Sequence, residues 1–177
     1  MIILKHNKTV YFAYSGVDSE PMEKDNRLVW RTGKNKSVLV GVFGSPRLAD
    51  VLRYESIVTE ELNKNNIVLN TLPILKSLAQ RFDLYKNSAL TSDVFVAKKD
   101  KAYKIDSNGA VYEIEEVYSH HLDIVKGIYD SGPIKNPESF LVEAAKRIEF
   151  EFCGAQFPLV IANTKKREVK IINREDV

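Results

Sequence analysis

An α+β fold is the class this sequence predicts, with antiparallel sheets covered by helices, and three observations carry it. Strand signals arrive in pairs joined by short polar turns, which is how antiparallel strands connect. Amphipathic helical stretches arrive in groups, where a doubly wound parallel sheet would alternate one strand with one helix. The chain of 177 residues, 44% hydrophobic and 28% charged, is long and apolar enough to bury a full core. No repeat, low-complexity tract or linker interrupts it, so residues 1–177 read as a single domain.

The first hairpin follows from Ile2 and Leu4, then Val10, Phe12 and Tyr14, alternating around Asn7-Lys8. A polar stretch from Ser15 to Asn26 separates it from a second, in which Leu28-Val-Trp30 and Ser37-Val-Leu-Val-Gly-Val-Phe43 flank Gly33-Lys-Asn. Gly41 and Gly44 bracket the end of that strand, and Ser45-Pro46 supplies an N-cap and a first-turn proline. From Arg47 to Lys64 the apolar residues Leu48, Val51, Leu52, Ile57, Val58 and Leu62 return at helical spacing opposite Glu55, Glu60 and Glu61. Thr71 is the expected cap of a second helix, with Pro73 in its first turn and Leu72, Leu75, Leu78, Ala79 and Phe82 as its apolar stripe.

Asp93-Val-Phe-Val-Ala97 is the next strand, and it leads into a hairpin over residues 102–114. There Asn108-Gly109 sits between two apolar-alternating runs; both residues tolerate the positive φ of a tight primed turn. Residues 118–129 read as a turn feeding a short helix. Asn136-Pro137 opens the last long helix by cap and proline, with Phe140, Leu141, Ala144, Ala145 and Ile148 facing inward. A final hairpin joins Phe157-Pro-Leu-Val-Ile-Ala162 to Val169-Lys-Ile-Ile172 across a charged turn at residues 163–168.

Several function classes fall away on composition. A net charge of +2 from 26 basic and 24 acidic side chains provides no basic field for phosphate backbones, so nucleic acid is not an expected partner. The clusters Lys98-Lys99-Asp-Lys101 and Lys165-Lys-Arg167 read as solvated turn charge. The single Cys153 excludes an intramolecular disulfide and reads as a small hydrophobe ending the last long helix against the core. His6, His120 and His121 lack the spacing of a zinc site, so neither metal nor cofactor is expected; the adjacent His120-His121 at a helix entrance can titrate near neutral pH or sit as a solvated turn pair. No apolar stretch approaches the roughly 20 residues of a membrane-crossing helix, and the opening Met1-Ile-Ile-Leu-Lys-His is no secretory leader. A cytoplasmic protein without membrane contact is the expectation.

Particular residues, taken in order, resemble the proteasome β-subunit and the peptidase subunit of HslV-type proteases. Asn26-Arg-Leu-Val is similar to the family's paired basic residues before an apolar strand, Val40-Gly-Val-Phe-Gly44 to its strand ending in Ala-Gly, and Leu52-Arg-Tyr54 to its first long helix. Tyr103-Lys-Ile-Asp-Ser-Asn-Gly-Ala-Val-Tyr112 resembles its hairpin, and Ser119-His-His-Leu-Asp-Ile-Val-Lys-Gly127 lies where its Gly-Ser-Gly turn and helix occur. The collinear order over nearly the whole chain carries the resemblance. It implies the amino-terminal-nucleophile hydrolase fold, a four-layer αββα sandwich of two antiparallel sheets between helix layers. The helices over Arg47–Lys64 and Thr71–Phe82 would then cover one outer face, and that over Asn136–Phe150 the other.

The family's chemistry needs a threonine, serine or cysteine at residue 1, whose free α-amine takes the nucleophile's proton. Here the chain begins Met1-Ile2-Ile3, without hydroxyl or thiol, and starts late along the family's first strand. Ser15 stands where the family has an acidic residue, with Asp18 nearby under a shifted register, and Arg27 replaces the catalytic lysine with a side chain that cannot release a proton. His120 takes the place of the turn's serine, Glu149 retains an acidic residue near the end of the last helix, and Phe152 replaces that residue's companion serine. Gly44 could donate its backbone N–H to an oxyanion or serve a turn only. Thr9 or Ser15 could become a terminal nucleophile through self-cleavage, at the cost of half or all of the first strand and an exposed sheet edge.

The expected function is a proteasome/HslV-like subunit or scaffold without peptidase activity. An active threonine-type peptidase with another mature amino terminus and a monomeric binding module are the alternatives. The resemblance also implies self-association as a ring or dimer, with protein or peptide ligands possible. An apolar arc of Val51, Tyr54 and Val58 beside Leu48, Leu52 and Leu62 is the expected contact.

Overall fold

Hairpins build the sheets. The computed structural model describes residues 1–15, 29–53, 61–81, 85–86, 89–90 and 92–177. In chain order the strands are β1 (Ile2–His6), β2 (Thr9–Ser15), β3 (Val29–Thr32), β4 (Val38–Phe43), β5 (Tyr85–Lys86), β6 (Ala89–Leu90), β7 (Asp93–Lys98), β8 (Lys101–Ile105), β9 (Val111–Glu113), β10 (Val117–Ser119), β11 (Leu159–Asn163) and β12 (Lys170–Ile172). The helices are α1 (Pro46–Arg53), α2 (Lys64–Asn66), α3 (Leu72–Arg81), α4 (Leu122–Asp130) and α5 (Pro137–Phe152). Two units result, one of Met1–Lys24 with Glu115–Val177 and the other of Asp25–Ile114. Among the described residues no helix is long and apolar enough to cross a membrane.

In the first unit Asn7 and Lys8 both adopt positive φ, 46° and 60°, the conformation that lets a two-residue turn match the twist of the strands it joins. The antiparallel sheet runs β10-β1-β2-β11-β12, with Ile2 opposite Ala13 and Leu4 opposite Tyr11. One face of it, Ile2, Leu4, Ala13, Leu159 and Ile161, packs against Val125 of α4 and Phe140, Leu141, Ala144, Ala145 and Ile148 of α5. Those five α5 residues are the inward stripe that helical spacing predicts. Asn136 caps α5 through its side-chain oxygen, which accepts the N–H of Glu138 at 2.9 Å, and Pro137 follows in the first turn. The other face of the sheet, including Ile3, Val10 and Phe12, is buried as well.

In the second unit the antiparallel sheet runs β3-β4-β7-β8-β9. Trp30, Val38, Val40, Val42, Val94, Val96, Tyr103 and Ile105 form one face, packed against Leu48, Ala49 and Leu52 of α1, Leu62, Ile67, and Leu75 and Leu78 of α3. Leu39, Phe95, Ala97 and Ala102 on the opposite face are also buried, which explains why β4 reads as a continuous apolar run rather than an alternation. Both sheets are antiparallel and carry their own helices, which is the predicted α+β class.

Four expectations are corrected. Helix α1 does not reach Lys64: residues 61–63 are non-helical, and Leu62 joins the Leu48–Leu52 cluster from outside any helix. Thr71 is not a cap, because Asn63 starts the helix with its side chain accepting the N–H of Asn66 at 2.9 Å; the helix then widens through a π turn, Ile67–Thr71, which buries Thr71. At the β8–β9 turn only Gly109 takes a positive φ, 85°. Asp106 dictates that turn by accepting the N–H groups of Asn108 and Ala110, each at 2.9 Å, so Gly109 alone turns left-handed in a longer loop. Cys153 ends α5 in a left-handed conformation, φ 52°, but is exposed rather than packed on the core. Leu28, Tyr54, Glu55, Ile57, Val58, Glu60, Phe82 and the side chain of Ala79 lie outside the described residues.

Candidate functional site

Register places the start of the chain. Because Ile2 pairs with Ser119 at the end of β10, β1 carries Met1 to the turn that holds His120 and His121 before α4. Ser119, almost fully buried, fixes that turn: its Oγ accepts the backbone N–H of His121 at 3.1 Å. The His121 ring packs on Phe152 at the end of α5, with ring centroids 4.2 Å apart and planes tilted by 35°. His120 turns the other way and meets the Tyr118 ring edge to face at 5.5 Å.

Partial burial shifts both bases of this corner the same way. The Met1 α-amine is pushed down from 8.0 to about 6, because its charged form loses hydration. His121 is lowered by burial first, then by the charge of the Met1 ammonium and by His120. At neutral pH the corner therefore holds an uncharged amine and an uncharged imidazole, both able to accept a proton. Met1, Ile2 and Ile3 carry no hydroxyl or thiol.

The residues singled out from sequence distribute as follows. Ser15, at the end of β2, donates its hydroxyl to the carbonyl of Ala155 at 3.2 Å. Glu149 accepts the backbone N–H of Gln156 at 3.4 Å and pairs with the Arg174 guanidinium. Ser15 and Glu149 are thus brought together on the loop that follows α5, where both tie down backbone. His120 lies at the turn beside Met1. Gly44 is in the second unit at φ 128°, a conformation that by itself accounts for glycine, and the next N–H, that of Ser45, is bound by Ser92 Oγ at 2.6 Å. Arg27 and Asp18 lie outside the described residues. Thr9 is buried in β2 with its hydroxyl directed at the Asn7 carbonyl, 3.5 Å away. Among the described residues no group of three or more His, Cys, Asp or Glu could hold a metal ion.

Sequence reasoning missed the role of His121 and Phe152 beside the chain start. The signal available was the unbroken apolar run Ile2-Ile3-Leu4, which marks an interior strand and so a buried strand end. It could not show which distant residues would meet Met1.

No family model and no curated protein matches the chain in sequence. Solved structures do match it in three dimensions. A BPH of Thiobacillus denitrificans in complex with epoxomicin aligns with a TM-score of 0.64 at 13% identity, over 92% of this chain and 96% of that one. The Anbu (ancestral beta-subunit) of Yersinia bercovieri aligns at 0.65 and 11% identity, over 99% and 88%. Eukaryotic HslV from Trypanosoma brucei aligns at 0.54 and 14% identity, over 92% and 97%. With two antiparallel sheets, each carrying its helices, and these alignments over nearly its full length, the chain has the proteasome/HslV-type amino-terminal-nucleophile hydrolase fold.

Proposed function

We propose that residues 1–177 form one proteasome/HslV-like subunit, cytoplasmic and self-associating, that keeps the fold for assembly and lacks the family's peptidase chemistry. The observation that supports this most is β1. It is an interior strand, hydrogen-bonded to β10 on one side and β2 on the other, and Ile2, Ile3 and Leu4 are buried along it without a hydroxyl or thiol. Exposing Thr9 as a new terminus would remove β1 and leave β10 and β2 as raw sheet edges, and exposing Ser15 would remove nearly all of β2 as well, leaving β10 and β11. The hydroxyls of Thr9 and Ser15 are already directed at backbone carbonyls.

The test is incubation of the purified chain with fluorogenic peptides and, separately, with epoxomicin, the compound held by the Thiobacillus denitrificans protein. Expected are no hydrolysis above background and no mass adduct. A stoichiometric adduct mapped to one residue by mass spectrometry would overturn the noncatalytic reading in favour of a peptidase with another mature terminus.

A further inference from the structure

Two hairpin turns of the second unit's sheet lie side by side, and both are rich in lysine. The turn between β3 and β4 carries Lys34 and Lys36, and the end of the β7–β8 hairpin carries Lys98, Lys99 and Lys101. Along the chain each group is ordinary turn charge. The register joins them: Leu39 at the start of β4 pairs with Ala97 at the end of β7, so all five lysines stand at one end of four adjacent strands. At about 4.8 Å between neighbouring strands, this ridge is about 14 Å wide. Asp100 is the single acid on either turn. Lys34, Lys36, Lys99 and Lys101 are exposed, and Lys34, Lys36 and Lys101 are in no ion pair among the described residues. Lys36 and Lys99 hold positive φ, 51° and 55°, a conformation that asparagine or glycine adopts more readily, so turn geometry does not account for lysine at either position.

We propose that this ridge binds a short acidic peptide segment of a partner protein, whose carboxylates lie across the two turns. Charge commits the occupant to one sign, since five ammonium groups against one carboxylate attract anions and repel cations. Reach and field then select among anions. An extended peptide advances about 3.3 Å per residue, so about four or five residues cross the ridge. The charge of the ridge exceeds the net +2 of the whole chain, so the remainder of the molecule is slightly negative and repels a long polyanion. The two turns also present no aromatic ring on which a base could stack, which sets nucleic acid aside. Lysine suits a carboxylate-rich segment, because its ammonium is a point charge on a flexible stem and needs no fixed fork geometry. Both turns belong to the unit Asp25–Ile114, which contains neither Met1 nor His121, so this binding needs neither that corner nor self-association.

The experiment is fluorescence anisotropy of a labelled octaglutamate peptide titrated with residues 1–177 at low and at raised salt. The charge-reversed pairs are Lys34→Glu with Lys36→Glu and Lys99→Glu with Lys101→Glu. Lys165→Glu with Lys166→Glu, on a turn of the other sheet, is the control with the same change in net charge. All six side chains are exposed, so the variants should fold, and circular dichroism melting checks that they do. Glutamine at the same positions, which removes charge without reversing it, replaces any glutamate pair that melts early. Expected are saturable binding that raised salt weakens, a loss of roughly tenfold or more in each ridge pair, and a loss of less than about twofold in the control. Absence of saturable binding to the wild type, a loss confined to one turn, or equal losses in all three pairs would overturn the proposal. Tighter binding of an oligothymidylate of the same length through the same lysines would overturn it in favour of nucleic acid.

Discussion

Acidification from pH 8 to pH 6 should destabilise this protein through the amine of Met1. Folding lowers that group from 8.0 to about 6 because it buries the end of β1. The unfolded chain therefore binds a proton as pH falls below 8, while the folded chain resists until about 6. Between those values the unfolded state carries more protons, so stability is full above pH 8, declines as pH falls, and is wholly lost as a contribution below pH 6. Two pH units at about 1.4 kcal/mol each make the loss about 3 kcal/mol, a large part of a domain's usual 5–15 kcal/mol. His121, lowered by burial, the Met1 charge and His120, adds a decline in the same direction below its ordinary range.

The assay is urea unfolding at pH 8, 7 and 6 under constant salt. It compares the chain with a free amine at Met1, the same chain acetylated there, and His121→Gln. Acetylation removes the titrating group, so the acetylated chain should show a much flatter pH dependence, whereas His121→Gln should keep most of the decline. Equal slopes for the free and acetylated chains would refute the argument that burial of this amine sets the pH response.

Two substitutions test the local structure. Gly127→Ala should raise stability by about 0.5–1 kcal/mol in thermal melts, because an alanine in mid-helix reduces unfolded-state freedom and meets no neighbour within 4 Å; a lowered melting temperature would contradict that open space. Gly109→Ala should cost about 1 kcal/mol or more, because Gly109 holds φ +85° and an added Cβ would lie 3.3 Å from Leu72 Cδ1; an unchanged urea midpoint would show that the turn can adopt another conformation.

Where structure is local, the residues declare it. The Asn7-Lys8 turn, the Asn136-Pro137 start and the buried stripe of α5 each depend on groups within a few positions of one another, and each is found as expected. Helix α1 is the instructive failure. Leu62 packs with Leu48 and Leu52 although residues 61–63 are non-helical, so apolar spacing continued onto backbone that is not helical. At the β8–β9 turn the Asn-Gly signal was overridden by Asp106, whose carboxylate binds two backbone N–H groups and chooses a different loop.

The amino-acid sequence alone determined that strands would pair as hairpins, that β1 would be apolar and without hydroxyl or thiol, and that a basic field was absent, since these follow from residue type and short spacing. Only the tertiary structure decided what stands beside Met1. The Ile2–Ser119 register and the end of α5 bring residues 1, 121 and 152 into one corner, where the Met1 amine and the His121 imidazole are both lowered, each chiefly by burial. Burial is a property of everything that surrounds a group, and no stretch of sequence around Met1 contains it.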